Sequence, residues 1–184
     1  ADCIPVTVPT DAAGHLQVKA IENAITKRTR AVVTVSPNNP TGIVYPEADL
    51  RAVNEACRAH GIYHISDEAY EYFLYDDAEH FSPGAIENST PHTICLYSLS
   101  KTYGFASWRI GYAVIPEQLV GALRKVQDTN VICPTAISQY AALGALQAGP
   151  GYCRPYLADM AIVRQQGIEA MSSLEDRVSL LPST

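Results

Sequence analysis

The 184-residue sequence predicts an α/β fold: a mostly parallel sheet with helices on both faces. Three observations carry that expectation. Short apolar runs alternate with segments of helical period, the element order that builds such sheets. The runs are largely apolar rather than alternating, as strands are when both faces are covered. The polar residues best suited to chemistry fall at or just past the ends of those runs, where open α/β sheets collect their ligands.

Ile4–Val8 is a short β-branched run and reads as the first strand. Val18–Ile25 puts Val18, Ile21 and Ile25 on one face of a short helix. Ala31–Val35 is a continuous apolar strand ended by Ser36-Pro37. Pro46 fits the first turn of a helix whose apolar face is Leu50, Val53, Ala56 and Cys57, and Gly61 stops it. Strands follow at Ile62–Ser66, Thr93–Ser98 and Gly111–Ile115. Pro116 opens a helix reaching about Asp128. Pro134–Gln147 is apolar on most sides and reads as a buried helix. After the Gly149-Pro150-Gly151 break, Tyr156–Leu174 reads as a long final helix.

The chain is 47% hydrophobic and 17% charged, ordinary for a soluble globular domain. A net charge of −6 with no block of like charges argues against a nucleic-acid partner. No apolar run nears the ~20 residues that span a bilayer, and the N-terminus has no signal-peptide pattern. The five cysteines are widely spaced and form no C-x-x-C pair, which fits reduced thiols in a cytoplasmic protein.

Four blocks carry candidate chemistry. Lys101 lies in Ser98-Leu99-Ser100-Lys101, just past an apolar strand. A lysine is by default a solvated charge, but one desolvated at a strand mouth becomes a nucleophilic amine able to form a Schiff base. Asp67, in Asp67-Glu68-Ala69-Tyr70, could merely cap a helix or could pair with a protonated ring nitrogen. Tyr70, three residues on, would project to the same side as Asp67; alone among 11 tyrosines it would mean little. Asn38-Asn39-Pro40-Thr41-Gly42 is at least a turn, and Asn39 at a strand end could aim its amide at a ligand. Ser98, Ser100 and Arg109 offer two hydroxyls and a guanidinium for a phosphate; the plain alternative for Arg109 is a salt bridge to one of the 19 acids.

Other constellations fail. His60 and His64 are four apart, but Gly61 breaks the helix that would align them on a metal, so no metal site is expected. His15, His80 and His92 read as isolated and exposed, and Trp108 as core packing. No nucleophile elbow, Walker loop or dinucleotide fingerprint occurs.

In their order and separation, Ser36-Pro37-Asn38-Asn39-Pro40-Thr41-Gly42, Asp67-Glu68-Ala69-Tyr70, Ser98-x-Ser100-Lys101 and Arg109-x-Gly111-Tyr112 resemble the class I/II aminotransferases of the aspartate aminotransferase superfamily, pyridoxal-phosphate fold type I. The resemblance runs from about Val8 to beyond Gln139. It implies a pyridoxal 5′-phosphate enzyme that moves an amino group between an amino acid and a 2-oxo acid, homodimeric when full-length. Lys101 is then the Schiff-base lysine and proton-moving base, Asp67 the ring-nitrogen partner, Tyr70 and Asn39 the pair on the ring oxygen, and Ser98, Ser100 and Arg109 the phosphate ligands. Ser107 stands where the family commonly has glycine. Residues 1–184 would form the central and C-terminal part of the cofactor-binding large domain, with the last helix leading toward a small domain that this sequence lacks. The family's N-terminal phosphate loop, its ring-stacking aromatic and its carboxylate-binding arginine have no match here. A lyase of the same fold, or a non-catalytic fragment or regulatory binding domain that keeps the motifs, stays open as an alternative.

The resemblance also implies that the strands at 31–36, 62–66, 93–98 and 111–115 lie side by side, the last antiparallel, with Ile4–Val8 at a far edge and not paired with Ala31–Ser36. It further implies a cis Asn39–Pro40 peptide, which proline makes accessible, and an open, shallow site amid exposed hydrophobic residues.

Overall fold

The computed structural model describes residues 2–174 and 177–180. Helix α1 (Val18–Ala24) precedes strand β1 (Ala31–Val35), helix α2 (Glu47–His60) and strand β2 (Tyr63–Asp67). Strand β3 (Thr93–Ser98) runs directly into the short helix α3 (Leu99–Thr102), and strand β4 (Gly111–Val114) follows. Helices α4 (Val120–Asn130), α5 (Ala136–Ala148) and α6 (Arg154–Ser172) complete the chain. The sheet order is β1-β2-β3-β4, parallel across the first three strands and antiparallel at β4, as expected.

Helix α2 forms where the apolar period required it. Its buried face is Leu50, Val53, Asn54, Ala56 and Cys57. Glu47 and Asp49 occupy the first turn and Arg58 and His60 the last, matching the helix dipole. Gly61 ends it with φ 64°, a left-handed conformation that suits glycine. Pro46 lies one residue before the helix rather than inside its first turn. Around α2 sit two apolar clusters, Ile21–Val53–Cys57–Ile62 and Ile43–Tyr45–Leu50. A third, Leu99–Tyr103–Ala142, fixes α3 against α5.

The face of β1–β3 turned toward α2 is partly polar. His64 is wholly buried, with Nε2 2.9 Å from Thr34 Oγ1 and Nδ1 3.1 Å from Asn54 Nδ2. Asn54 also donates to Thr93 Oγ1 (2.7 Å) and accepts from His92 Nε2 (3.0 Å). The network makes His64 Nδ1 an acceptor and Nε2 a donor, so the ring is neutral. Burial pushes its pKa down to about 4, with the charge of His92 acting the same way and that of Glu68 opposing.

Several expectations are corrected. Residues 4–8 form no strand; Ile4 and Val6 are 72% exposed, and Val8 alone of that run packs on the first cluster. β-branching favours a strand only where a ladder actually forms, and among the described residues β1 pairs with β2 alone, its outer edge left unpaired. Helix α5 is not buried: Ile137 and Tyr140 are 67% and 77% exposed, and only Ser138 and Ala142 are covered. An all-round apolar helix asks for burial, but only its small-residue stripe meets α3 here. All of β4 is exposed, as is Val33, so the sheet is not covered on both faces. His15, His80 and His92 are half-buried rather than exposed, and His80 and His92 hold specific partners. Trp108 is 39% exposed and stacks on Phe105 rather than filling the core.

Two predictions follow from this packing. His64 accepts a proton near pH 6.5 when unfolded and only near 4 when folded, so the unfolded state binds more protons between those values. Its stabilisation is complete above about pH 6.5 and is lost as pH falls toward 4, roughly 3 kcal/mol in all. Urea unfolding at pH 7 and pH 4 should show the wild-type advantage over His64→Asn shrinking by about that amount; a constant difference would mean the ring is not held neutral. The second concerns Gly111, opposite Ser98 in the β3–β4 ladder, where an added Cβ would stand 2.5 Å from the Tyr97 carbonyl oxygen. That contact is with backbone and has no side chain to yield. Gly111→Ala should cost roughly 1–3 kcal/mol by the same unfolding measurement.

Candidate active site

Three chain segments leave the parallel strands at one edge of the sheet and bring their polar residues together. In-register pairing sets Val35 beside Asp67 and Asp67 beside Leu96. The turn after β1 is held by Asn38, whose backbone N–H donates to Ile43 O (2.8 Å) and whose Oδ1 accepts from Thr41 Oγ1 (2.8 Å). Both Ser36–Pro37 and Asn39–Pro40 are cis; the second was expected and the first was not. The tight loop delivers the exposed Asn39, whose Nδ2 donates to Tyr70 Oη at 3.1 Å.

Asp67 ends β2, and its Oδ1 accepts from the Ala69 N–H at 3.1 Å, an Asx-type turn rather than a helix cap. Successive tight turns follow, with Glu71 N–H on Glu68 O (3.0 Å) and Phe73 N–H on Tyr70 O (2.8 Å). They return Tyr70 toward the strand end without a helix. Phe73 meets the Tyr70 ring edge-on at 5.9 Å and limits its freedom.

Lys101 is carried by α3. Ser98 caps that helix, its Oγ accepting from the Ser100 N–H at 3.2 Å. Leu99 and Thr102 point inward and are buried, so Lys101 between them projects outward. Its Nζ lies 5.6 Å from the centroid of the Tyr70 ring, within cation–π range. The structure thus joins Asn39, Tyr70 and Lys101 in one group, with Asp67 at the base of the same turn.

The expected phosphate ligands are only partly assembled. Ser98 and Ser100 meet at the start of α3, but Arg109 folds onto its own turn, Nη1 donating to Ala106 O at 2.6 Å. Its φ of 52° is unusual for a non-glycine residue. The salt bridge that was its plain alternative is not formed among the described residues. Lys101, Asn39 and Arg109 are all exposed, so the site is open, as expected.

One residue escaped the sequence reading. Glu68 is 1% exposed, bonded to His80 Nε2 and Ser82 Oγ, both at 2.9 Å. Nothing in a lone glutamate beside Asp67 announces burial, because glutamate is exposed by default. Burial alone would raise its pKa. Hydrogen bonds from His80, Cys95 and Ser82, with the charge of His80, outweigh that and hold it below the ordinary value.

With this geometry in place, likeness to known proteins is informative. The family described as aminotransferase class I and II matches residues 1–173. A probable aspartate/prephenate aminotransferase of Thermus aquaticus is 43% identical over 145 residues, 78% of this chain and 37% of that protein. Aromatic-amino-acid aminotransferase 2 of Thermococcus litoralis is 37% identical over 145 residues, with the same coverage. Among solved structures, a double mutant of Thermus thermophilus aspartate aminotransferase superposes with a TM-score of 0.79 at 34% identity, covering 89% of this chain and 43% of that one. The chain therefore spans 37% of the length of these two curated relatives. With a family match along nearly its whole length, the chain belongs to the class I and II aminotransferases.

Proposed function

We propose that this chain is the lysine-bearing part of a pyridoxal-phosphate-dependent aminotransferase that transfers an amino group between an amino acid and a 2-oxo acid. The observation that carries the reading is the Asn39–Tyr70–Lys101 group: an amide, a phenol and an ammonium converging beside a carboxylate at one edge of a parallel sheet. The donor set suits the cofactor. Asp67 has one oxygen on Ala69 N–H and, among the described residues, no protein hydrogen bond on the other.

Pyridoxal phosphate, when bound, supplies an aldehyde that condenses with amines and a ring that withdraws electrons from the substrate α-carbon. Lys101 Nζ would be the amine for that linkage and, when free, the base that takes the proton from the substrate Cα and delivers it to the cofactor carbon. The Asp67 carboxylate would keep the ring nitrogen protonated. Tyr70 Oη and Asn39 Nδ2 would hydrogen-bond the ring oxygen. Ser98, Ser100 and Arg109 would hold the phosphate, which asks Arg109 to leave the Ala106 carbonyl. The 43% identity to a protein named for aspartate and the 37% identity to one named for aromatic amino acids support a dicarboxylic or aromatic amino acid as the donor. A homodimer and a cytoplasmic location complete the proposal; the five unpaired cysteines suit a reducing compartment.

The test uses the full-length protein. Incubation with pyridoxal phosphate and then borohydride should label Lys101, and Lys101→Ala should abolish the label. Labelling of Lys19, Lys27 or Lys125 in its place would overturn the assignment. Product formation that requires a 2-oxo acid acceptor separates transfer from elimination by a lyase.

A further inference from the structure

Asp67 and Glu68 are adjacent but face opposite ways. Along β2 the pattern alternates, with His64 and Ser66 buried and Ile65 and Asp67 half-buried, and Glu68 continues the buried side. Both of its carboxylate oxygens are used. Oε2 takes His80 Nε2 and Oε1 takes Ser82 Oγ, each at 2.9 Å. These partners lie 12 and 14 residues further on, at the far end of the irregular stretch that carries Tyr70. The near end is fixed by Glu68 N–H on Leu96 O (2.9 Å) and by Ser36 N–H on Asp67 O (3.1 Å). The stretch between is held by turns and has no helix or strand of its own.

The same atoms reach the other two blocks. Ser82 Oγ lies 3.1 Å from Tyr97 Oη, and Tyr97 is the residue before Ser98. Tyr97 stacks on Tyr112 of β4 at 4.7 Å, three residues after Arg109. One buried carboxylate thus ties the Tyr70 loop to the strand that delivers Lys101 and, through the tyrosine stack, to β4.

We propose that Glu68 is a positioning residue: its carboxylate, gripping His80 and Ser82, closes the 68–82 stretch into a rigid loop and so holds Tyr70 with its hydroxyl on Asn39 and its ring facing Lys101. The inference rests on the aminotransferase reading for its bearing on chemistry, and on the bonds of Glu68 alone for the clamp. Glu68 touches none of the proposed reacting groups; it acts through Tyr70. A carboxylate is needed because both partners present donors, and an amide would turn one acceptor into a donor. Removing one partner of a buried charged group leaves the rest unsatisfied, so the loop, not the sheet, should feel the change first.

Two readouts on the full-length protein test this. Without cofactor, backbone amide exchange over residues 70–75 should speed up about tenfold in Glu68→Gln while α2 is unchanged. With pyridoxal phosphate, the pH midpoint of the visible absorbance band should move in the same direction as in Tyr70→Phe, and the double variant should move no further than Tyr70→Phe alone. Ser82→Ala, which removes one hydroxyl, should give the same pattern more weakly and serves if Glu68→Gln does not fold. Unchanged exchange at 70–75, exchange raised equally across the sheet, or additive midpoint shifts would each overturn the clamp. If the wild type develops no visible band, the aminotransferase reading fails and the clamp's link to chemistry falls with it, whereas a normal band with no shift overturns only the role of Glu68.

Discussion

The site depends on three parallel strands whose C-terminal ends lie side by side, β1 and β2 ending level and β3 running two residues further to Ser98. Because β1, β2 and β3 run the same way and pair in register, residues far apart in sequence leave the sheet at one edge. Val35, Asp67 and Leu96 lie side by side, so the loop with Asn39, the turn with Tyr70 and the helix with Lys101 have short distances to cover. No residue of that group could be supplied by its neighbour in sequence. Parallel pairing forces the chain away through a long connection before each return, and each return brings one new chemical group.

That constraint also explains which parts were legible in the sequence. Apolar runs closed by Ser36-Pro37 and followed by Gly61 mark β1 and α2 through local chemistry alone. Asp67, Ser98 and Lys101 could be placed because strand ends are visible in a single sequence. What was not legible depends on partners. The 4–8 run has a strand's composition but forms no ladder with the free outer edge of β1, and α5 has a core helix's composition but, among the described residues, buries only Ser138 and Ala142. Glu68, His64 and His80 were hidden for the converse reason. A charged or polar residue is buried at low cost when others satisfy it, and the partners of these three stand 10 to 30 residues away.

The balance of exposed and buried surface is consistent with this. Val33, Val114, Ile137 and Tyr140 are open to solvent while Thr34, His64, Ser66 and Glu68 are covered. Three of these covered groups are held by bonds to neighbours, with Thr34, Asn54 and Thr93 around His64 and with Ser82 and His80 around Glu68, whereas Ser66 Oγ has no partner among the described residues. Each network links β2 to a different neighbour, the first to α2 and β1, the second to the loop before β3. Polar bonds of this kind are directional where apolar packing is not, so they fix orientation as well as proximity.

Orientation is what an acid–base site needs from its scaffold. The Tyr70 hydroxyl receives the Asn39 amide at 3.1 Å, and its ring faces Lys101 at 5.6 Å; both relations fail if the turn after Asp67 rotates. Phe73 packs on the ring from one side, but a single edge-on aromatic contact leaves rotation about the strand axis free. The alternation of β2 removes that freedom. By sending Asp67 to the open side and Glu68 to the buried one, consecutive carboxylates do opposite work: the first remains available to a ligand, and the second is consumed by the protein to hold the first and its turn in place. Exchanging the two faces by a one-residue slip would bury Asp67 and expose Glu68, which is why the register of β2, more than any single contact, decides whether the site exists.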